Sequence, residues 1–151
     1  MEAGTSQVVE CEIRIEASPE TVFEFFTDPA KAVQWMGQTA TLDPRVGGIY
    51  KVTMSNDWVV VGEYVEVDPP RRVVFTWGWE DGVAFTPPGS STVEIDLIPD
   101  GDATLVRLVH SGLPSEASAA HRGGWEKFLP RLAAVASGRD PGPDPHKELM
   151  S

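Results

Sequence analysis

The sequence predicts an α+β domain, in which an antiparallel sheet keeps its helices apart from its strands. Three observations lead there. Between about Thr39 and Ser111 the chain is a run of segments that alternate apolar with polar residues, separated by Gly, Pro, Asn and Asp. Ahead of that run stand one more alternating segment and two short helix signatures. Behind it, from about Glu116 to Ser137, the large apolar residues recur at helical spacing. Strand, two short helices, a run of about six strands and one long helix is the order of a curved antiparallel sheet, of six or seven strands in all, that grips a single helix.

Val8 to Glu16 places Val9, Cys11, Ile13 and Ile15 on one face, which predicts a strand with one buried side. Ser18-Pro19-Glu20 combines an N-cap, a first-position proline and an acidic first turn, opening a helix whose apolar side is Val22, Phe23, Phe25 and Phe26. Asp28-Pro29 repeats the signal for a second helix through Ala32, Val33, Trp35 and Met36, which Gly37 ends. Thr39 to Leu42 is a short strand. Asp43-Pro44-Arg45-Val46-Gly47-Gly48 is a turn, and Ile49 to Met54 turns Tyr50, Val52 and Met54 to one side. After a turn at Asn56-Asp57, the segments Trp58 to Asp68 and Arg71 to Trp79 form a pair joined at Pro69-Pro70, the second with Val73, Phe75, Trp77 and Trp79 on a single face.

Glu80 to Ser90 holds Gly82, Pro87, Pro88 and Gly89 and so reads as a loop, one that carries Val83 and Phe85 over a cavity mouth. Ser91 to Ile98 and Ala103 to His110 flank Pro99-Asp100-Gly101-Asp102. With Asp100-Gly101 as the centre of a type I′ turn, Pro99 faces Asp102, Leu97 faces Thr104, Ile95 faces Val106, Val93 faces Leu108 and Ser91 faces His110. That register also sets Glu94 across from Arg107 on the outer face.

The long helix carries Trp125, Phe128, Leu129, Leu132 and Val135 as one stripe, with Glu126, Lys127 and Arg131 off it. At 1.5 Å per residue it would be about 33 Å long, and Gly138 supplies its stop. Gly123-Gly124 and Pro130 weaken it from within. Such defects either shape space between helix and sheet, or let the two approach closely and follow a curve; both readings stay open.

A chain of 151 residues that is 41% hydrophobic fits one domain, expected at residues 8–137 between a flexible start (1–7) and a flexible Pro-rich tail (138–151). No apolar run is long enough to insert in a membrane, and Met1 to Gln7 lacks the regions of a signal peptide, so the expected compartment is the cytoplasm. The single cysteine, Cys11, excludes an internal disulfide and is expected as a small core residue. A formal charge of −11 disfavours nucleic acid and anionic membrane as partners. His110, His121 and His146 are not at metal-ligand spacing, and neither a phosphate loop nor a nucleotide fingerprint is present, so neither metal nor cofactor is expected.

The volume between sheet and helix would be walled by Trp77, Trp79, Phe85, Val106, Leu108, His110 and Trp125, the candidate ligand-binding residues. His110 ends an apolar inward row, where a histidine is either bonded to a core carbonyl or serine, or in contact with a ligand. His121, near the helix start, is expected to be partly exposed. Catalytic residues are not assignable, because no nucleophile and base stand at diagnostic spacing.

Ile15-Glu16-Ala17-Ser18-Pro19-Glu20-Thr21-Val22-Phe23, Trp35, Asp43-Pro44-Arg45-Val46-Gly47-Gly48, Asp68-Pro69-Pro70, Phe75-Thr76-Trp77, Ser91-Thr92-Val93, His110-Ser111-Gly112-Leu113 and Gly124-Trp125 together resemble the activator of heat-shock-protein-90 ATPase homologue family. That family belongs to the START-like, or SRPBCC, superfamily, and the likeness covers roughly residues 8 to 137. The resemblance implies the helix-grip fold, also called Bet v 1-like, and a cavity. Superfamily members include lipid carriers, plant hormone and allergen proteins, polyketide cyclases and co-chaperone domains. The leading expectation is therefore a binding domain for a small hydrophobic or aromatic ligand. A cyclase or hydratase using the same cavity, with His110 as acid or base, is the alternative, and a protein-interaction domain a third. Eukaryotic co-chaperones of the family carry a further N-terminal domain, so a chaperone partner is not the expectation for these residues alone; homodimerisation is left open.

Overall fold

The structure, a computed structural model, describes residues 7–55, 58–80 and 87–141. Its elements are β1 (Gln7–Ile15), α1 (Pro19–Glu24), α2 (Pro29–Trp35), β2 (Thr39–Leu42), β3 (Ile49–Ser55), β4 (Trp58–Asp68), β5 (Arg72–Trp77), β6 (Ser91–Asp100), β7 (Ala103–Leu113) and α3 (Ser115–Ala136). The strands form one seven-stranded antiparallel sheet in the order β1-β7-β6-β5-β4-β3-β2. Its inward rows, among them Tyr50, Val52 and Met54 of β3 and Val73, Phe75 and Trp77 of β5, share one core with Trp125, Phe128, Leu129 and Leu132 of α3.

Local chemistry sets the two short helices. Ser18 accepts the Thr21 N–H and Asp28 accepts the Ala30 N–H, each followed by a proline that needs no donor partner at the first helical position. Three hydrogen bonds then tie these helices down. Trp35 Nε1 donates to the Phe25 carbonyl at 3.0 Å, the Tyr64 hydroxyl to the Phe26 carbonyl at 2.8 Å, and Arg131 Nε of α3 to the Trp35 carbonyl at 3.0 Å. The turn between β2 and β3 docks on β4, where the Gly47 N–H and the Tyr64 N–H each form a 2.8 Å bond. Glycine is required there, since a Cβ on Gly48 would stand 1.9 Å from the Asp43 carbonyl oxygen.

The β6–β7 register differs from the expected one by two residues. The loop is Gly101-Asp102, Asp100 pairs with Ala103, and Pro99, Leu97, Ile95 and Val93 face Thr104, Val106, Leu108 and His110. Gly101 takes φ 64° at the first loop position, where a type II′ turn favours glycine. Asp100 stays in the strand, where it receives the Arg14 Nε of β1 at 2.9 Å, a contact between distant residues that local turn preference does not report. Because the shift is even, no side chain changes face. Val106, Leu108 and His110 remain buried and Arg107 exposed.

The expected Glu94–Arg107 pair is not formed. Arg107 lies opposite Asp96 and donates to Glu12 at 2.7 Å, whereas Glu94 belongs to Arg72. The Arg72 guanidinium also reaches Asp96 at 3.0 Å and Glu66 at 3.1 Å, so one cation joins β4, β5 and β6 on the outer face. Hydrogen bonds to Glu94 first, then Asp96, raise its pKa further above its ordinary value.

β5 ends at Trp77, two residues earlier than expected. Gly78 lies so close beneath Pro87 that a Cβ would stand 1.9 Å from its carbonyl oxygen, and Trp79 continues only as a bridge to Val60. α3 runs through Pro130 and closes at Gly138, φ 82°, with the Arg139 N–H on the Ala134 carbonyl at 2.7 Å. It packs chiefly on β1 and α2. No helix among the described residues is long and apolar enough to cross a membrane.

Candidate functional site

Where α3 crosses the inner face of the sheet, a cluster of indole and imidazole rings bridges the two. Trp77 from β5, Trp79 just beyond it and His110 from β7 meet His121 and Trp125 from α3. The Trp77 ring centroid lies 5.1 Å from Trp125, 5.6 Å from His110 and 5.8 Å from Trp79, and the two imidazoles are 5.3 Å apart. All these residues are buried.

Hydrogen bonds order the cluster in both directions. Trp79 Nε1 of the sheet donates to His121 Nε2 of the helix at 3.1 Å, and Trp125 Nε1 of the helix donates to His110 Nδ1 of the sheet at 3.0 Å. Each indole is donor only, which assigns the remaining protons. His121 must donate from Nδ1 to the Ala117 carbonyl, 2.8 Å away. The Ser91 hydroxyl donates to the Trp77 carbonyl at 2.7 Å, so His110 Nε2–H donates to Ser91 Oγ at 2.8 Å. Both histidines are thus held neutral. Burial lowers the His110 pKa to about 3, with the nearby His121 adding to the effect, and burial lowers that of His121 as well. A second proton on either ring would point an N–H at an indole N–H.

One donor is left over. Trp77 Nε1 is buried and has no hydrogen-bond partner among the described residues, although Trp77 lies at the centre of the cluster and is only 4% exposed. Native interiors seldom leave such a group unmatched. α3 is open at its glycine pair: beyond the helix's own backbone and the chain neighbours, no described residue comes within 4 Å of where a Cβ on Gly123 or Gly124 would stand. The two glycines open different flanks. Gly123 borders a cleft of about 280 Å³ toward β1, with Val8, Val9, Ser118, Ala119, Arg122 and Glu126. Gly124 shares the other flank of the helix with Phe128, one turn on.

Of the expected ligand-binding residues, Trp77, Trp79, His110 and Trp125 come together in the ring cluster. Val106 and Leu108 are fully buried in the same core, paired with Ile13 and Cys11 of β1. Phe85 lies outside the described residues. His121, expected to be partly exposed, is instead buried; it falls one helical turn before Trp125, and that spacing was the available signal. Ser91 bonds His110 despite the shifted register, because it is the diagonal neighbour of the paired Val93. Cys11 is half-buried, and burial raises its thiol pKa.

A curved antiparallel sheet holding one long C-terminal helix, with two short helices after the first strand and an aromatic cluster between the layers, defines a START-like domain of the helix-grip class. The chain belongs to the family of activator of Hsp90 ATPase homolog 1-like proteins, whose sequence profile matches residues 16–137. Similar solved structures include an AHSA1-like protein from Rhizobium etli, 46% identical over 96% of this chain and 92% of that one, with a TM-score of 0.74. CalU16 from Micromonospora echinospora is 28% identical over 99% and 83%, with a TM-score of 0.72. An HSP90 activator from Plasmodium falciparum, 24% identical over 87% and 96%, shares the fold with a TM-score of 0.70. No curated protein matches the chain.

Proposed function

We propose that this domain binds a small apolar or aromatic molecule in the cytoplasm, between the inner face of the sheet and α3. The observation that carries this reading is the buried Trp77 Nε1–H, which has no acceptor among the described residues. An unmatched buried donor costs about 1–3 kcal/mol, and a bound ligand offering an acceptor would recover that. The walls around it are indole and imidazole rings, which suit stacking on a flat apolar body. The open flank at Gly124 gives such a body a direction in which to extend. Both nitrogens of His110 are already engaged by Ser91 and Trp125, which favours binding over acid–base chemistry at this residue.

Thermal unfolding in the presence of fatty acids and polycyclic aromatics tests the proposal. A ligand that binds only the folded state, at a hundred times its dissociation constant, should add about 2.7 kcal/mol. Gly124→Leu should abolish that gain by filling the open flank, while helix propensity favours its folding. If no compound raises the transition, or a hit acts undiminished on the folded Gly124→Leu protein, the site is not between helix and sheet. A protein-interaction role would then account better for the family relationship.

A further inference from the structure

We infer that the outer edge of β1, with the cleft beside it, docks an extended basic segment of a partner protein, added as an eighth, antiparallel strand in which lysine or arginine alternates with small aliphatic residues. This site lies at the rim of the sheet and is independent of the binding reading above. β1 has a strand on one side only, β7. The β6–β7 hairpin fixes which of its backbone groups are unpaired. Asp100 and Ala103 close the two-residue loop as a hydrogen-bonded pair, so every second pair back along the hairpin is bonded, down to Glu94 and Val109. Val109 therefore bonds toward β6, and Glu10, which stands opposite it on β1, turns its N–H and C=O outward. Glu12 and Arg14 do the same by the two-residue period. Arg122 Nη1 of α3 reaches the Glu10 carbonyl at 3.4 Å, as that direction requires. The opposite edge, β2, is four residues long and has α2 packed against it. β1 runs for nine residues with neither lysine nor proline, two of the devices that blunt an edge against strand addition.

Charge and shape select the occupant. Along this edge Arg14 is engaged by Glu16 and Asp100, and Arg107 by Glu12. That leaves Glu10 and Glu126, which form no ion pair among the described residues, against the single charge of Arg122. The edge is thus negative, in a chain whose formal charge is −11. A second copy would bring the same carboxylates to the interface, whereas basic side chains opposite Glu10 and Glu12 complement them. Between the start of β1 and α3, the cleft of about 280 Å³ has Val8, Val9, Ala119 and Gly123 in its wall and accommodates a small aliphatic side chain of the added strand. In antiparallel addition each basic residue lies opposite a β1 residue whose backbone points outward. Its own amide then bonds to β1, and the amides of the aliphatic residues face solvent.

The acetylated peptide Lys-Val-Lys-Val-Lys-Val tests this by calorimetry and proton–nitrogen NMR, beside two N-methylated forms, one methylated on the lysine amides and the other on the valine amides. The lysine-methylated form should bind at least about tenfold more weakly than the parent, the worth of one lost hydrogen bond, and the valine-methylated form should bind like the parent. Backbone signals of Glu10 and Glu12 should shift while the Trp77 indole signal stays in place. The acidic peptide Glu-Val-Glu-Val-Glu-Val should not bind, and added salt should weaken the lysine peptide. Glu10→Pro removes one outward N–H and one carboxylate at an edge position that tolerates proline, and should weaken the parent peptide about tenfold or more. The inference is overturned if the parent peptide does not bind, if the lysine-methylated form binds as tightly as the valine-methylated one or more so, or if the shifts fall at the ring cluster and not on β1. A dimer seen in sedimentation that Glu10→Pro abolishes would assign the edge to a second copy and overturn it as well. Should Glu10→Pro not fold, Gly123→Leu decides: it fills the cleft and should weaken the parent peptide at least about tenfold, the worth of one buried aliphatic side chain, and undiminished binding contradicts the inference.

Discussion

Replacing Trp125 with alanine should destabilise the domain by about 3–5 kcal/mol, a large share of the 5–15 kcal/mol typical of a folded domain. The indole is 4% exposed, packs against Trp77 and His110, and donates to His110 Nδ1 at 3.0 Å. Truncation removes the area, leaves a cavity and strips an acceptor deep in the core of its donor, and these losses add. α3 has few other large side chains in this half, since Gly123 and Gly124 precede the tryptophan. The urea midpoint of Trp125→Ala measures the effect. A midpoint close to wild type would mean that the helix does not depend on this anchor.

Acid should unfold the protein through its two buried histidines. An unfolded histidine titrates near 6.5, whereas folded His110 titrates at about 3. Above pH 6.5 both states are neutral here and stability is unaffected. Below it the unfolded chain takes up a proton that the folded chain refuses, so stability falls by about 1.4 kcal/mol per pH unit from His110 alone. The loss continues until the folded ring titrates in turn. His121, also lowered by burial, acts with the same sign. Urea unfolding between pH 7 and pH 4 should therefore steepen below 6.5, and His110→Asn, which cannot titrate, should show a slope about 1.4 kcal/mol per unit shallower. An equal slope in both proteins would mean that His110 is protonated in the fold.

The faces of this fold were legible in the sequence, because alternation in strands and the 3.6-residue period in helices depend only on neighbours along the chain. Val73, Phe75 and Trp77 point inward as the pattern requires, and so do Tyr50, Val52 and Met54. Registers were less accessible. Asp100-Gly101 and Gly101-Asp102 both make acceptable hairpin centres, and the Arg14 contact that holds Asp100 in its strand spans 86 residues. The Arg72 cluster was hidden for a similar reason: it exists only once β5 is known to lie beside β6. At the site, the tryptophans and His110 could be read from periodicity, and so could His121, had its place one turn before Trp125 outweighed its polarity. The pairing of donors with acceptors could not, since Trp79 meets His121 across 42 positions of the chain. Nor could the one N–H of the ring cluster without a partner among the described residues, which emerges only when the cluster's other bonds have been counted.

That donor offers the most direct measurement. In a proton–nitrogen NMR spectrum each of the five tryptophans contributes one indole N–H signal, and Trp77→Phe identifies the one that matters. In the free protein the Trp77 signal should lie upfield of those from Trp35 and Trp125, whose N–H groups are hydrogen-bonded. On addition of a ligand that raises thermal stability, it should move downfield, toward the bonded position, by more than any other indole signal. A Trp77 signal that stays in place while such a ligand saturates the protein would contradict the claim that the ligand sits between the sheet and α3.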